Sequence, residues 1–400
     1  MSPFILLPIY SAMSSYSGWM TDVCLRRWPR TAEKARRIRK FWLVPIVLLS
    51  LLPVAGAFLP DSPVKFALQA AGNIWLGFYL YYSGILLLSL VVVTLARLIS
   101  RGRLFHALGG KRYGVRLCLA LGLSLVLLVY GLIHAQNTVV VRYDVPVEKR
   151  VEGMDGMKVV LLGDLHLSVN SSLNTTKRMV ELVNAEEPDV VVIAGDIFTS
   201  SYRGLSDPDA YAEALRGMKA KYGVYAVYGN HDVEETLFGG FPISPISQAF
   251  RTKDMEAFFK DCGFIVLYDD TALLGGAVQL VGRIDGEKAG DGTTNRKSPE
   301  ELLKDVDRAL PVVVLEHEPK EFKALKEAGA DVALCGHTHT GQIFPGNLIV
   351  PFFNENAWGY AVIRDLDTVV TSGVGYYGPP MRVGTNSEVT VVDLRFVGEA

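Results

Sequence analysis

The stretch "ADVALCGHTHTGQ", residues 330–342, changes character halfway along. Its first six residues are mostly apolar and read as a buried strand that ends at Gly336. The chain then places His337 and His339 one residue apart, between glycines. Working outward, "MKVVLLG" (157–163), "PDVVVIAG" (188–195), "YGVYAVYG" (222–229) and "PVVVLEH" (311–317) repeat this form. Helix-like segments such as "TTKRMVELVNAEE" and "DPDAYAEALRGMKA" separate the first three. Strand–helix–strand alternation predicts an α/β domain with a largely parallel sheet. Beyond Gln342 the runs "LIVPFF", "YAVIRD", "TVVTSG" and "EVTVVDL" follow with no helix between them, which predicts a second, mainly antiparallel sheet.

Strand ends on one edge of an α/β sheet are where such folds build sites. The chain has seven histidines, and five of them fall at these ends: His166 in "GDLH", His231 in "GNHD", His317 in "LEHEP", and His337 with His339. Asp164 stands two residues before His166, Asp196 follows the second strand, and Asn230 precedes His231. Residues i and i+2 of a strand share a side, so Asp164 with His166, and His337 with His339, can each present two ligands together. Two Asp, one Asn and four His without a thiolate suit two divalent transition-metal ions, Mn, Fe or Zn. Seven ligands exceed what one open site needs. They match a pair of ions about 3.5 Å apart sharing a carboxylate, the two-metal geometry of phosphoryl chemistry.

The front of the chain is different. Residues 41–60, 66–96 and 117–135 contain no charged residue and are long enough to span a bilayer, the second over-long for one upright helix. A weaker fourth candidate is the Ser-rich "PFILLPIYSAMSSYSGWM" at 3–20. Eight basic residues crowd 21–40, including Arg26, Arg27, Arg36, Arg37, Arg39 and Lys40, and a second basic loop carries Arg101, Arg103, Lys111, Arg112 and Arg116. The connection near Asp61 and Lys65 is almost neutral. The positive-inside rule then puts both basic loops in the cytoplasm and the C-terminal domain outside the cytoplasmic membrane. No charge interrupts the three strong spans, which argues against ion or proton translocation. The expected organisation is a membrane region of three or four helices (1–136), a tether (137–154) and a catalytic domain (155–396). About 20 residues of tether reach no more than ~70 Å even when extended, and "TVVVRYDVPV" within it reads as strand that folds back.

The motifs "GDLH", "GD", "GNHD", a lone His after a strand, and "GHTH", in that order, resemble the calcineurin-like metallophosphoesterase superfamily over about residues 155–396. Together with the preceding helices and "SGVGYYGPPMRVGTNSEVTVVDL", they look like its membrane-anchored bacterial branch. The resemblance implies two packed mixed β-sheets flanked by helices, a four-layer sandwich. It implies that Asp164, His166, Asp196 and His339 hold one metal, and that Asp196, Asn230, His317 and His337 hold the second, with Asp196 bridging. His231 is then the catalytic residue, stabilising the transition state or protonating the leaving oxygen. One departure stands out. Many relatives read Gly-Asp-x-x-Asp at the second motif, and in some the second Asp orients the catalytic histidine. Here Thr199 occupies that position, and Asp232 is the candidate substitute.

Other features weigh less. Residues 150–400 carry 23 basic against 37 acidic side chains, a balance that excludes general nucleic-acid binding. Four cysteines show neither metal spacing nor a disulfide framework. "GVGYYG" (373–378) has the G-x-G-x-x-G spacing, but prolines rather than a helix follow it, so no nucleotide site is expected. Arg382 in "GPPMRVG" reads either as a substrate-phosphate contact or as a surface turn. "LFGGFPISPI" (237–246) reads either as a loop folded on its own core or as an apolar lip at Leu237, Phe238, Phe241 and Ile246 facing substrate or membrane. The expected function is a membrane-anchored phosphoesterase of a mono- or diester, an amphiphilic lipid-linked one being favoured by the short tether. The alternative is a catalytically weak metal-binding scaffold or sensor of the cell envelope. Oligomeric state has no signature in the sequence.

Overall fold

The computed structural model describes residues 3–28, 31–99 and 111–398, and the chain divides into two compact units. The first comprises Met1–Leu132 with Leu237–Ile243 and Gly378–Pro380. Its helices are α1 (Pro3–Arg27), α2 (Ala32–Ser50), α3 (Leu52–Phe58), α4 (Pro63–Ile99) and α5 (Lys111–His134). Three segments are long and apolar enough to cross a membrane: Glu33–Phe58, Pro63–Ile99 and Lys111–His134. Pro53 sits in the first turn of α3, where its missing N–H leaves no bond unmade. The over-long middle span is one uninterrupted helix of 37 residues. The weak first candidate is helical too, and one of its serines has a use in packing. Ser17 pairs with Ser83 hydroxyl to hydroxyl at 2.7 Å, and Thr21 with the Tyr82 hydroxyl at 2.6 Å. Arg101 and Arg103 of the second basic loop, and His106, lie outside the described residues, whereas Lys111, Arg112 and Arg116 belong to the first turns of α5.

The 237–246 segment divides between the units. Leu237–Phe238 (β5) and Phe241–Pro242 (β6) form a small hairpin of the first unit, where Phe238 is buried with its ring edge-on to Tyr10 at 5.4 Å. Phe238 is therefore core, which favours the folded-back reading at that residue, whereas Leu237 and Phe241 are partly exposed and Ile246 is exposed.

The second unit, Ile133–Thr236 with Ser244–Tyr377 and Met381–Ala400, holds two six-stranded mixed sheets. The first runs β1 (Thr138–Val147), β14 (Ser387–Phe396), β2 (Gly156–Leu162), β3 (Val190–Ala194), β4 (Val224–Val227), β7 (Ile265–Val266). The second runs β12 (Gly359–Ile363), β13 (Leu366–Val370), β11 (Val332–Cys335), β10 (Val312–Leu315), β9 (Val278–Gly282), β8 (Asp270–Leu274). The period-2 alternation of each strand divides its side chains between two cores. Val159, Leu161, Val190 and Val192 meet Leu280, Val313, Val332 and Leu334 between the sheets. Val160, Leu162, Val191 and Ile193 instead face the helices Leu173–Ala185, Pro208–Arg216 and Lys253–Asp261. Val312, Val314, Ala333 and Cys335 face the helix Phe322–Ala328. The result is helix, sheet, sheet, helix, the four layers expected.

Two expectations need correction. The second sheet is not mainly antiparallel: β9, β10, β11 and β13 run parallel, with antiparallel strands only at its edges. "EVTVVDL" does not join it but enters the first sheet as β14, and "LIVPFF" is no strand. Its residues lie in a four-residue helix, Gly346–Ile349, preceded by Pro345, and a 3₁₀ turn, Val350–Phe352, that contains Pro351. A proline cannot donate to a ladder, which disfavours pairing there. The tether, too, is largely sheet: all ten residues of Thr138–Val147 pair in parallel with β14.

Candidate metal centre

The loops that follow five parallel strands build the site. The end of β2 delivers Asp164 and His166, β3 delivers Asp196, β4 delivers Asn230 and His231, β10 delivers His317, and β11 delivers His337 and His339. Asp164, His166, Asp196, His337 and His339 all have φ between 47° and 72°, a left-handed backbone that is rare for such residues. Each costs about 1–3 kcal/mol and persists only where the surroundings enforce it. Close approach enforces it here. A Cβ on Gly229 would stand 2.2 Å from Asp196 Oδ1, and one on Gly336 2.7 Å from Asp164 Oδ2, so glycine alone leaves room for the two carboxylates.

All seven expected ligands come together. His166 Nε2 lies 2.9 Å from His339 Nε2, and Asp164 Oδ1 lies 3.4 Å from His339 Nε2 and 4.0 Å from His166 Nε2. His337 Nδ1 lies 3.2 Å from His317 Nε2, which is also 3.0 Å from Asn230 Oδ1. Between the two groups stands Asp196. Its Oδ1 accepts the His231 N–H at 2.8 Å, and its Oδ2 is 3.6 Å from His166 Nε2 and 3.2 Å from His317 Nε2. The donor atoms of Asp164, His166 and His339, and separately of Asp164, Asp196 and His317, all lie within 4.8 Å of one another.

Partners on the far side of each ring aim the lone pairs. The Ala194 carbonyl can only accept, so His317 Nδ1 donates to it (2.7 Å) and Nε2 faces inward. Thr199 donates its hydroxyl proton to the His166 carbonyl at 3.1 Å, leaving its oxygen to accept from His166 Nδ1 at 3.3 Å. Asn230 Nδ2 donates to Glu287 at 3.2 Å, which turns Oδ1 inward. Burial pushes His166 down to about 4, and holds His231 and His339 well below the usual imidazole range. Burial would also lower His317, but the Asp196 carboxylate outweighs it and raises His317. Burial similarly opposes ionisation of Asp196, yet His317 and His231 hold it well below the carboxylate range. Neutral imidazoles at His166, His337 and His339 beside an ionised Asp196 fit divalent cations, and a cation would displace the proton that Asp196 favours on His317; the donor set contains no sulfur and suits Mn, Fe or Zn.

The departure at Thr199 resolves differently from expectation. Asp232 does not touch His231: its carboxylate accepts the backbone N–H groups of Asp196, Phe198 and Gly229 at 2.8–3.0 Å and pins the two loops together. His231 is held instead by Ser200, whose Oγ is 2.8 Å from Nδ1. The Ser200 hydroxyl donates to Glu235 Oε2 at 3.1 Å, and Lys288 Nζ donates to the same oxygen at 2.6 Å. A hydroxyl has one proton. With it committed to Glu235, His231 Nδ1 must be the donor, which directs Nε2 away from Ser200. The Tyr377 ring lies against His231 at 4.6 Å.

Sequence reading missed Ser200, Glu235, Lys288 and Tyr377, because these contacts join loops distant along the chain. Only Glu235, four residues after His231, left a local trace. Arg382 also differs from expectation. It is fully buried, not a surface turn, and its guanidinium donates to the carbonyls of Ser372, Gly373 and Gly375 at 2.7–3.1 Å, bracing the loop behind Asp164. Glu318 and Glu287 gather beside His337, with Lys320 2.5 Å from the first and 3.9 Å from the second.

Comparison with known proteins agrees with this geometry. The calcineurin-like phosphoesterase family profile matches residues 157–341. The chain is 32% identical to a "Transmembrane protein with metallophosphoesterase domain" of Danio rerio, over 92% of this chain and 85% of that protein. A Bos taurus protein of the same description is 32% identical over 71% of this chain and 64% of its own length. An "Uncharacterized metallophosphoesterase" of Helicobacter pylori is 30% identical over 60% of each. The first likeness reaches beyond the profile into the apolar helices, and relatives occur in both animals and bacteria.

Proposed function

The chain belongs to the calcineurin-like metallophosphoesterases, a membrane protein with a metal-dependent phosphoester hydrolase domain, and on that premise we propose that it cleaves a lipid-linked or phospholipid phosphoester on the outer side of the cytoplasmic membrane. Two divalent cations are its proposed complement, one held by Asp164, His166, Asp196 and His339, the other by Asp196, Asn230, His317 and His337. The observation that carries the binuclear reading is the position of Asp196 Oδ2, within 3.6 Å of an imidazole nitrogen from each group.

When bound, such cations supply Lewis acidity, neutralising phosphoryl oxygens and lowering the pKa of a water molecule. The chain's own residues do the rest. Glu287, Thr199 and the Ala194 carbonyl hold Asn230, His166 and His317 in orientation. His231 keeps its Nδ1–H on Ser200 and turns Nε2 into the site; burial favours the neutral ring, so Nε2 passes a proton to the departing alkoxide only after taking one up from water. Tyr377 covers one face of the His231 ring and limits water there.

The proposed orientation is supported by the basic residues of 21–40, and the amphiphilic substrate by the three residues separating α5 from β1. The test uses the full-length protein in nanodiscs with a panel of phosphoesters, including phospholipids of graded acyl length and soluble head-group analogues. Turnover that rises with acyl length supports the proposal. Turnover that ignores it leaves a soluble phosphoester as the substrate.

A further inference from the structure

The residues after the last metal-binding motif form a surface that the fold leaves unused. Phe352 is 85% exposed and Phe353 81% exposed, and Phe344, Leu348 and Ile349 have about half their surface in contact with solvent. These five large apolar side chains fall within ten residues, 344–353, which contain no charge. Single exposed apolar residues are ordinary, but a cluster of this density on a water-facing surface is not. A short helix followed by a 3₁₀ turn projects them, so no strand or core has a claim on these side chains.

Their location in the second unit identifies the occupant. Phe344 N–H donates to the Val383 carbonyl at 2.8 Å, and Asn347 Nδ2 donates to Gly384 at 3.4 Å. One residue further along, the Thr385 carbonyl and Asn386 Oδ1 lie 3.1 and 3.0 Å from His134 Nε2. Ser387 Oγ donates to the Ala135 carbonyl at 2.8 Å. His134 is the last residue of a membrane-crossing helix. The apolar turn is therefore tied, through the single strip 383–387, to the point where the chain leaves the bilayer. An apolar, uncharged, aromatic-rich turn at that level meets lipid rather than water.

We propose that residues 344–353 are a membrane-docking element, with Phe344, Leu348, Ile349, Phe352 and Phe353 set into the lipid surface. The segment begins five residues after His339, so docking fixes the loop carrying the second "His-x-His" ligand at the level of the head groups. This does not depend on which phosphoester is cleaved, and its test reads no activity.

The full-length protein is reconstituted in phosphatidylcholine nanodiscs containing a phospholipid with a photoreactive diazirine in its acyl chain. Peptides are then mapped by mass spectrometry after irradiation. Labelling of 344–353 at least tenfold above that of the water-facing helix Leu173–Ala185 is expected, together with labelling of the three spanning helices. Replacement of both aromatic residues, Phe352→Ser with Phe353→Ser, should lower labelling of the segment at least tenfold and leave the helices labelled as before. Labelled helices with an unlabelled 344–353 would overturn the proposal. So would chemical cross-links joining 344–353 of one chain to the same segment of another, which would make the surface a contact between copies.

Discussion

The helical and catalytic units arrange polar and apolar groups in opposite ways. In the helices, Leu98, Ile99, Val126 and Ile133 point outward, while Ser17, Thr21, Ser83 and Ser124 are buried. In the catalytic unit Val160, Leu161, Leu162 and Val192 are fully buried, as soluble folding requires. Yet both units bury polar side chains, and these are of two kinds. Among the helices Ser17 pairs with Ser83 and Thr21 with Tyr82, and Ser124 donates to the Ala120 carbonyl. The imidazoles and carboxylates at the strand ends turn lone pairs on one another, on strained backbone. Buried polarity alone is thus no sign of chemistry. Unbalanced donors on an enforced backbone are.

Substitutions sharpen that contrast in order of expected effect. Asp196→Asn removes the one carboxylate between the two groups and should cost more than the ~10⁴-fold upper range for a single acid–base residue; steady-state turnover of an aryl phosphodiester reads it. His231→Gln should lower turnover ~10²–10⁴-fold, with metal content by mass spectrometry unchanged; parallel loss of metal would make His231 a ligand. Ser200→Ala should cost ~10–100-fold, the range for removing a partner that orients a histidine. The loss should be greater for alkyl esters, whose leaving oxygen needs a proton, than for nitrophenyl esters. Ser200→Thr should restore the rate, and the ¹⁵N shifts of His231 should report the Nδ1–H form in the wild type but not in Ser200→Ala. An equal loss on all leaving groups would reduce Ser200 to a packing role. Smallest is Ser83→Ala among the helices, expected to change unfolding in detergent by ~0.6 kcal/mol and catalysis not at all. A catalytic effect there would break the contrast.

Much of the site was legible because its signals are local. Each ligand ends a strand, and a glycine beside it marks a close approach, as Gly229 does for Asp196. The parallel order of β2, β3 and β4 could be read from the helices between them. What was not legible depends on partners far along the chain. Strand pairing is a choice among surfaces, so "EVTVVDL" could not announce that it would enter the first sheet between β1 and β2. The apolar "LIVPFF" has strand-like composition, and only Pro345 and Pro351 argued for the exposed turn it forms. Ser200 gave no signal, since its meaning lies in a contact 31 residues away. Phe238 looked available for a lip because Tyr10, which buries it, lies more than two hundred residues earlier.

The central claim is a binuclear centre bridged by Asp196, and metal counting tests it most directly. Full-length protein loaded with Mn and desalted should retain two ions per chain by elemental mass spectrometry, while the Asp196→Asn and His317→Ala variants should each retain one or none. A fully active wild-type protein that holds a single ion, or an Asp196→Asn variant that keeps both, would contradict the account.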